Sequence, residues 1–299
     1  MAVQFKKAVK REARGRVALI GPAGSGKSFT MLKLARLLAG PAGKIAAVDT
    51  EHGSLSKYAD LFDFDVIELD SYTPDNFLAA LSAAEEAGYA VFCGDSYSHF
   101  WMGKDGALEF VDERKKRSRD QMEGWKDWRP HERKMVDAMR ASRCHVIVTM
   151  RTKNAYQDES YTDGNGHKKT KRVKIGLAPV QREGLEYEFD LVGYMDDDNN
   201  FVVDKTRCPD YAGKVLAKPG DKEFAPFVQW LSGAPSELHE KLLARVNELI
   251  AAAGPEETES VMRTVFHDSQ KFVDEMDDDE LKKFGTALRD ATARKPAAA

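Results

Sequence analysis

The chain has 299 residues, 42% of them hydrophobic, and a formal net charge of −4. That length allows one large domain or two modest ones with a sizeable core. No apolar run reaches the roughly 18 residues of a membrane span, and the basic stretch Met1–Arg14 is not followed by the apolar segment of a secretory signal. The first strand follows too soon for a transit peptide. Cys93, Cys144 and Cys208 are few, odd in number and widely spaced. They suit small core residues of a reduced compartment better than a disulfide set or metal site, so a cytoplasmic location is expected. The charge is uneven. From Pro235 onward 14 acidic residues face 9 basic ones, and the remainder is near neutral.

Arg16–Ile20 is a short apolar run that reads as a buried strand, and Phe29–Leu38 reads as a helix. Between them lies Gly21-Pro22-Ala23-Gly24-Ser25-Gly26-Lys27-Ser28, which fits G-x-x-x-x-G-K-[ST] at every fixed position. Strand, glycine loop and helix is the context that turns this pattern into a phosphate site. Glycines let backbone N–H groups turn inward, and the helix N-terminus adds partial positive charge. Lys27 should reach the terminal phosphates of ATP and Ser28 should place its hydroxyl on Mg²⁺, with Phe29 next to the bound nucleotide.

Lys44–Asp49 reads as a second buried strand ending in Asp49-Thr50-Glu51-His52-Gly53, and Asp65–Leu69 as a third. A helix should start at Thr73-Pro74-Asp75-Asn76, with Asp75 as cap, and end near Gly88. Tyr89–Asp95 is the next strand. Asp95 at its end suits a carboxylate holding Mg²⁺, or a cap on the following turn. Glu51 could orient the attacking water, or be a surface acid in a turn.

Lys104–Asp120 reads as a helix carrying Arg114-Lys115-Lys116-Arg117-Ser118-Arg119. Gln121–Trp128 reads as a turn, with Pro130 in the first turn of the next helix. His145–Met150 is another buried strand. The polar stretch Arg151–Lys174 reads equally as a mobile loop or a long hairpin. Glu188–Met195 and Phe201–Lys205 flank an Asp/Asn-rich turn, which predicts a β-hairpin. Gly233-Ala234-Pro235 marks a boundary, with helices expected over 236–252, 255–273 and 277–293. The expected organisation is a core over 1–233 and a helical module over 236–295. Strands that are continuous apolar runs alternating with helices imply a mainly parallel sheet with an antiparallel edge hairpin.

Val48-Asp49-Thr50-Glu51-His52-Gly53-Ser54-Leu55 resembles the segment after the second strand of the RecA core. With the phosphate loop before it and Asp95-Ser96 after it, the resemblance covers roughly residues 15–210. It implies a RecA-like P-loop NTPase core in which Glu51 is the catalytic base. Lys205-Thr206-Arg207 is similar to the Lys-x-Arg element with which such ATPases reach a neighbouring subunit's phosphate. On that reading Lys205 and Arg207 act in trans and the protein is a homo-oligomer; otherwise they are solvated charges. Thr149 and Arg151 stand where the family senses the γ-phosphate, though RecA itself has glutamine nearby.

The stretch Arg151–Lys174 occupies the place of the family's second DNA-binding loop. It carries Lys153, Lys168, Lys169, Lys171, Arg172 and Lys174, with Tyr156 and Tyr161 interleaved. Cations can track phosphates while aromatics stack on bases. Arg114–Arg119 lies near the place of the first such loop, but reads equally as a solvated helix face with Trp101, Trp125 and Trp128 in the core.

Asp95–Lys104, His145–Arg151 and Gly176–Asp190 resemble phage-encoded ATPases of the small RecA-core, AAA-domain type. Some of those anneal single strands in an ATP-dependent way beside a single-stranded-DNA-binding protein. The resemblance implies an ATPase acting on single-stranded DNA in recombination or replication, in a host cytoplasm, and it is absent beyond about Pro235. A nucleotide switch or helicase loader acting on a protein partner remains open, as does a P-loop kinase.

Overall fold

The computed structural model describes residues 12–117, 122–162, 168–233, 237–266, 272–276 and 278–293. Two compact units divide the chain, one over Arg11–Leu231 and a helical one within Ser232–Ala299.

The larger unit opens with β1 (Arg16–Gly21), α1 (Lys27–Ala39), β2 (Ile45–Asp49), β3 (Asp65–Glu68), α2 (Pro74–Glu86) and β4 (Val91–Asp95). Then come α3 (His99–Met102), α4 (Ala107–Arg117), α5 (Glu123–Ala141) and the long strands β5 (His145–Thr162) and β6 (Lys168–Pro179). It closes with β7 (Leu191–Met195), β8 (Phe201–Thr206), β9 (Val215–Leu216) and α6 (Asp221–Ser232). The sheet order is β3-β2-β4-β5-β1-β7-β8-β9, with β6 paired to β5. From β3 to β7 every pairing is parallel, while β7–β8–β9 and β5–β6 are antiparallel. This is the mainly parallel α/β sheet with an antiparallel edge that the sequence predicts.

Alternation along the strands builds a core on each face. Val17 and Leu19 of β1 pack with Met31, Leu34, Phe224 and Phe227 of α1 and α6. Ala18 and Ile20 point to the other face, with Phe77 and Leu81 of α2 and Met135 and Met139 of α5. Burial on both faces is what favours continuous apolar strands. Register then aligns the carboxyl ends: Asp49 stands opposite Asp95, and Gly21 opposite Arg151. The crevice for a ligand lies beyond these ends.

Two local expectations change, and one open alternative is decided. Thr73, not Asp75, caps α2: its hydroxyl accepts from the Asn76 N–H at 3.2 Å, with Pro74 as first helical residue. Thr73 alone has the extended backbone that aims a side chain back at the free N–H groups. The segment 123–128 is helical, so Pro130 lies inside α5. Pro130 removes a backbone donor, but Gly124 packs against Val111 and buries Trp128 with Ala107. That contact starts the helix early. Of the two readings of Arg151–Lys174, loop or hairpin, the backbone is that of a hairpin: residues 152–162 pair antiparallel with 168–179, with a bulge at Ala155/Tyr156, and residues 163–167 lie outside the described residues.

In the basic run, Arg114, Lys115, Lys116 and Arg117 are exposed around the last turn of α4. Trp101, Trp125 and Trp128 gather in a separate apolar cluster. Arg119 lies outside the described residues. The helical unit consists of α7 (Glu237–Ala253), α8 (Pro255–Phe266) and α9 (Asp278–Ala293) around Val246, Met262, Leu281, Phe284 and Leu288. Its second helix is described as far as Phe266, and Val273, the expected end of that helix, instead opens a 3-10 turn over Val273–Glu275; residues 267–271 and 294–299 lie outside the described residues.

Candidate active site

The loop after β1 closes on itself through Lys27. Its Nζ donates to the Pro22 carbonyl at 2.7 Å, and Ser25 Oγ donates to the same oxygen at 2.9 Å. Gly24 and Gly26 have φ of 83° and 81°, a region glycine enters without strain. Gly21 has no room for a side chain, because a Cβ there would stand 2.7 Å from the Met195 carbonyl. These constraints hold the loop at the start of α1, where helix N–H groups and the dipole favour an anion.

Asp95 ends β4 with 2% exposure. Ser28 Oγ donates to its Oδ2 at 2.5 Å, and the Thr149 hydroxyl donates to Oδ1. Burial raises the Asp95 pKa above the carboxylate range, against the two hydroxyl donors and Lys27, which lower it. Burial likewise pulls Lys27 down, opposed by Asp95 and Glu51. Both groups are therefore costly to charge until a counter-charge arrives. The adjoining Asp95 and Ser28 oxygens suit Mg²⁺, which takes few protein oxygens and completes its shell with phosphate and water. Among the described residues no group of three or more His, Cys, Asp or Glu side chains could hold a metal ion.

Glu51 is presented by a clamped turn. The fully buried Asp49 accepts the Glu51 N–H at 2.6 Å on one oxygen and the Leu55 N–H at 2.8 Å on the other. His52 and Gly53 turn the chain at φ 54° and 77°. Thr50 locks this turn to β4: its Oγ1 accepts from the Ser96 N–H at 2.8 Å and lies 2.6 Å from His99 Nδ1. Arg151, on β5, donates to Glu51 Oε1 from Nε at 3.0 Å and from Nη2 at 2.9 Å.

A family model described as an AAA domain matches residues 13–215. The chain belongs to this AAA-domain family. Membership makes it a P-loop ATPase. No curated protein matches the sequence. Among solved structures it is similar to a KaiC-like protein from the hyperthermophilic archaeon Pyrococcus horikoshii. Identity is 15%, over 67% of this chain and 83% of that one, with a TM-score of 0.39; a likeness so distant says nothing about function.

Beside the phosphate loop the AAA domain has a cavity of about 390 Å³, a size that suits the nucleoside part of a nucleotide. Phe29 and Lys33 of α1 form one wall, Tyr58 a second, and Asn199 and Lys218 a third. Phe29 meets Phe62 edge-on at 5.4 Å. Asn199 (φ 64°) and Lys218 (φ 43°) are two of the four described non-glycine residues with positive φ, and such conformations cluster at ligand sites. Asp196 builds the Asn199 turn, its carboxylate accepting from the N–H groups of Asp198 and Asn200. Tyr58, Asn199 and Lys218 are absent from the sequence expectation. The signal was there only as an Asp/Asn-rich turn, with nothing to bring it to Gly26.

Lys205 and Arg207 are not brought to this loop within one chain. Thr206 pairs with Leu191, and Leu191 with Val17, at the amino end of β1. Lys205 Nζ donates to the carbonyls of Phe189 and Tyr187, and Arg207 pairs with Asp190 at 3.0 Å. Lys153 is exposed at the root of the β5–β6 hairpin. Lys168, Lys169, Lys171, Arg172 and Lys174 lie along β6, and the backbone register sets Lys174 opposite Tyr156 and Lys169 opposite Tyr161. No helix among the described residues is long and apolar enough to cross a membrane.

Proposed function

We propose that this AAA domain is an ATPase stimulated by single-stranded DNA, working as a homo-oligomer in phage recombination or replication. One observation carries the reading. β5 is a single strand that touches Asp95 through Thr149 and Glu51 through Arg151, then runs on into the basic hairpin. A ligand that displaces the hairpin displaces Arg151, and with it the partner of Glu51.

In this scheme ATP lies with its phosphates on Gly21–Ser28 and Lys27, and its nucleoside beside Phe29. Asp95 and Ser28 hold Mg²⁺, which supplies charge neutralisation at the phosphates. Glu51 takes the proton of the attacking water. Lys205 and Arg207, distant from their own loop, serve a neighbouring chain's phosphates. Lys153, Lys168, Lys169, Lys171, Arg172 and Lys174 track the DNA backbone, and a single-stranded-DNA-binding protein is a natural companion on that substrate.

The test is phosphate release with and without single-stranded DNA across a salt series. Six phosphate contacts on a single strand give a log–log salt slope of about −4, so half-maximal stimulation should need roughly 10²–10³ times more DNA at 200 mM than at 50 mM salt. Turnover indifferent to DNA would sink the reading and turn attention to a protein ligand.

A further inference from the structure

One buried polar cluster beside the site has no part in the scheme above. Ser96, Tyr97 and Ser98, the turn after β4, are all but fully buried. Buried polar groups have to be paired, and these pair with the neighbours of Glu51, Asp95 and Arg151. Ser98 Oγ accepts from the Arg151 N–H at 2.9 Å. The Ser96 N–H donates to Thr50 Oγ1 at 2.8 Å, and the Thr50 N–H donates to the Asp95 carbonyl at 2.8 Å. Thr50 directly precedes Glu51 and is buried. This one residue therefore splices the strand end that bears Glu51 to the strand end that bears Asp95.

His99 completes the splice. It is the first residue of α3, and its Nδ1 lies 2.6 Å from Thr50 Oγ1. That oxygen already takes the Ser96 N–H, so its own proton has two places to go, His99 Nδ1 or the Ser96 carbonyl at 3.2 Å. Both forms of Nδ1 are satisfied. Bare, it takes the Thr50 proton; protonated, it donates and the hydroxyl turns to Ser96. The ring is braced from behind. Tyr72 stacks on it at 5.2 Å and 30°, and the Tyr72 hydroxyl donates to the Thr50 carbonyl at 3.0 Å. Gly103 has no room for a side chain, because a Cβ there would stand 2.5 Å from the Tyr72 ring. Thr50 is branched at Cβ and stiff at χ1. Pinning its hydroxyl therefore fixes the backbone that presents Glu51.

We propose that His99 is a positioning residue for hydrolysis: by holding the Thr50 hydroxyl it sets the backbone from which Glu51 reaches the attacking water, a role that rests on Glu51 being the base, as proposed above. Asp49 fixes that turn along the chain, and His99 fixes it across the sheet.

The test uses the full chain with Mg²⁺ and ATP, reading kcat, equilibrium ATP binding and thermal unfolding. His99→Phe keeps a ring on Tyr72 and removes the nitrogen. His99→Asn puts an amide atom where Nδ1 stood, and amide rotation serves either direction of the bond, but the stacked ring is lost. His99→Phe should lower kcat about ten- to hundredfold, the range that a displacement of up to about 1 Å costs, at unchanged ATP affinity. His99→Asn should recover most of that loss despite a lower Tm. Packing alone gives the reverse order. The proposal is overturned if His99→Asn falls as far as His99→Phe, if His99→Phe matches wild type, or if ATP affinity falls in step with kcat. Thr50→Val reads the same bond from its other end and should also lower kcat. Adding His99→Phe to it leaves neither partner of the bond orphaned and should cost nothing further; losses that multiply would place His99 in another role. Glu51→Gln separates the two claims. If that variant hydrolyses at the full rate, the base falls and this role with it. If it is inactive while His99→Phe is as fast as wild type, only the role of His99 falls.

Discussion

Replacing Arg151 by alanine tests whether the ion pair with Glu51 restrains hydrolysis. Two N–H groups of one guanidinium meet a single carboxylate oxygen at 2.9 and 3.0 Å. Coulomb's law gives about 1.4 kcal/mol for unit charges at that separation in bulk water. The side chains are 39% and 28% exposed, so screening is substantial, and pairs of this kind contribute about 1 kcal/mol at most. Free Glu51 should then be about fivefold more populated in Arg151→Ala. Phosphate release without DNA should rise by up to that factor, the DNA-saturated rate should hold, and the stimulation ratio should fall accordingly. A second readout follows from His99. Burial chiefly, and Arg151 next, hold its pKa below the usual histidine range, so its titration should move upward in the variant. Turnover collapsing equally with and without DNA, at unchanged ATP affinity, would refute the brake and assign Arg151 to the phosphate itself.

Glu51→Gln should keep ATP binding and lower turnover by about 10²–10⁴, measured by equilibrium nucleotide binding and single-turnover hydrolysis; full turnover removes Glu51 as base. Arg207→Ala should lower turnover by roughly 10³ or more if it is a trans finger. Mixing it with Lys27→Ala chains should recover activity at interfaces that pair an intact loop with an intact finger, and no recovery at any ratio argues against action in trans. His145 accepts the Gly15 N–H at 3.0 Å on Nδ1, and burial with Arg14 and Arg16 lowers its pKa from 6.5 to about 4. The folded state therefore resists a proton the unfolded state takes. The His145 contribution is complete above pH 6.5 and lost as pH falls toward 4, on the order of 3 kcal/mol. Urea midpoints of His145→Asn should fall less over that window than those of wild type; parallel profiles would place the acid sensitivity elsewhere.

What the sequence made legible is what is local. Gly21–Ser28 is contiguous, and its neighbours on both sides have the periodicity of their elements, so strand, loop and helix follow from one stretch. The carboxyl-end acids Asp49 and Asp95 were visible because each ends an apolar run. The cavity beside the loop was not, since Phe29, Tyr58, Asn199 and Lys218 come from four segments that only the sheet order brings together. The start of α5 was misplaced because Pro130 is a strong local signal, and the contact that overrides it, Gly124 on Val111, is tertiary.

The Arg151–Glu51 pair illustrates why the rest could not be read. Its partners lie 100 residues apart, on strands separated by β4, and each alone is an ordinary charge at a strand end. Their meeting depends on register. Asp49 stands opposite Asp95, and Gly94 opposite Val148, so Glu51 lies two residues and Arg151 three residues beyond the positions paired through β4. A register error in β5 would move Arg151 and Thr149 to the other face of the sheet. It would break contacts to both carboxylates together, because Thr149 and Arg151 are two apart on one strand face. The same parity that lets β5 serve Asp95 and Glu51 at once makes the strand the single mechanical link between those two carboxylates and the hairpin beyond.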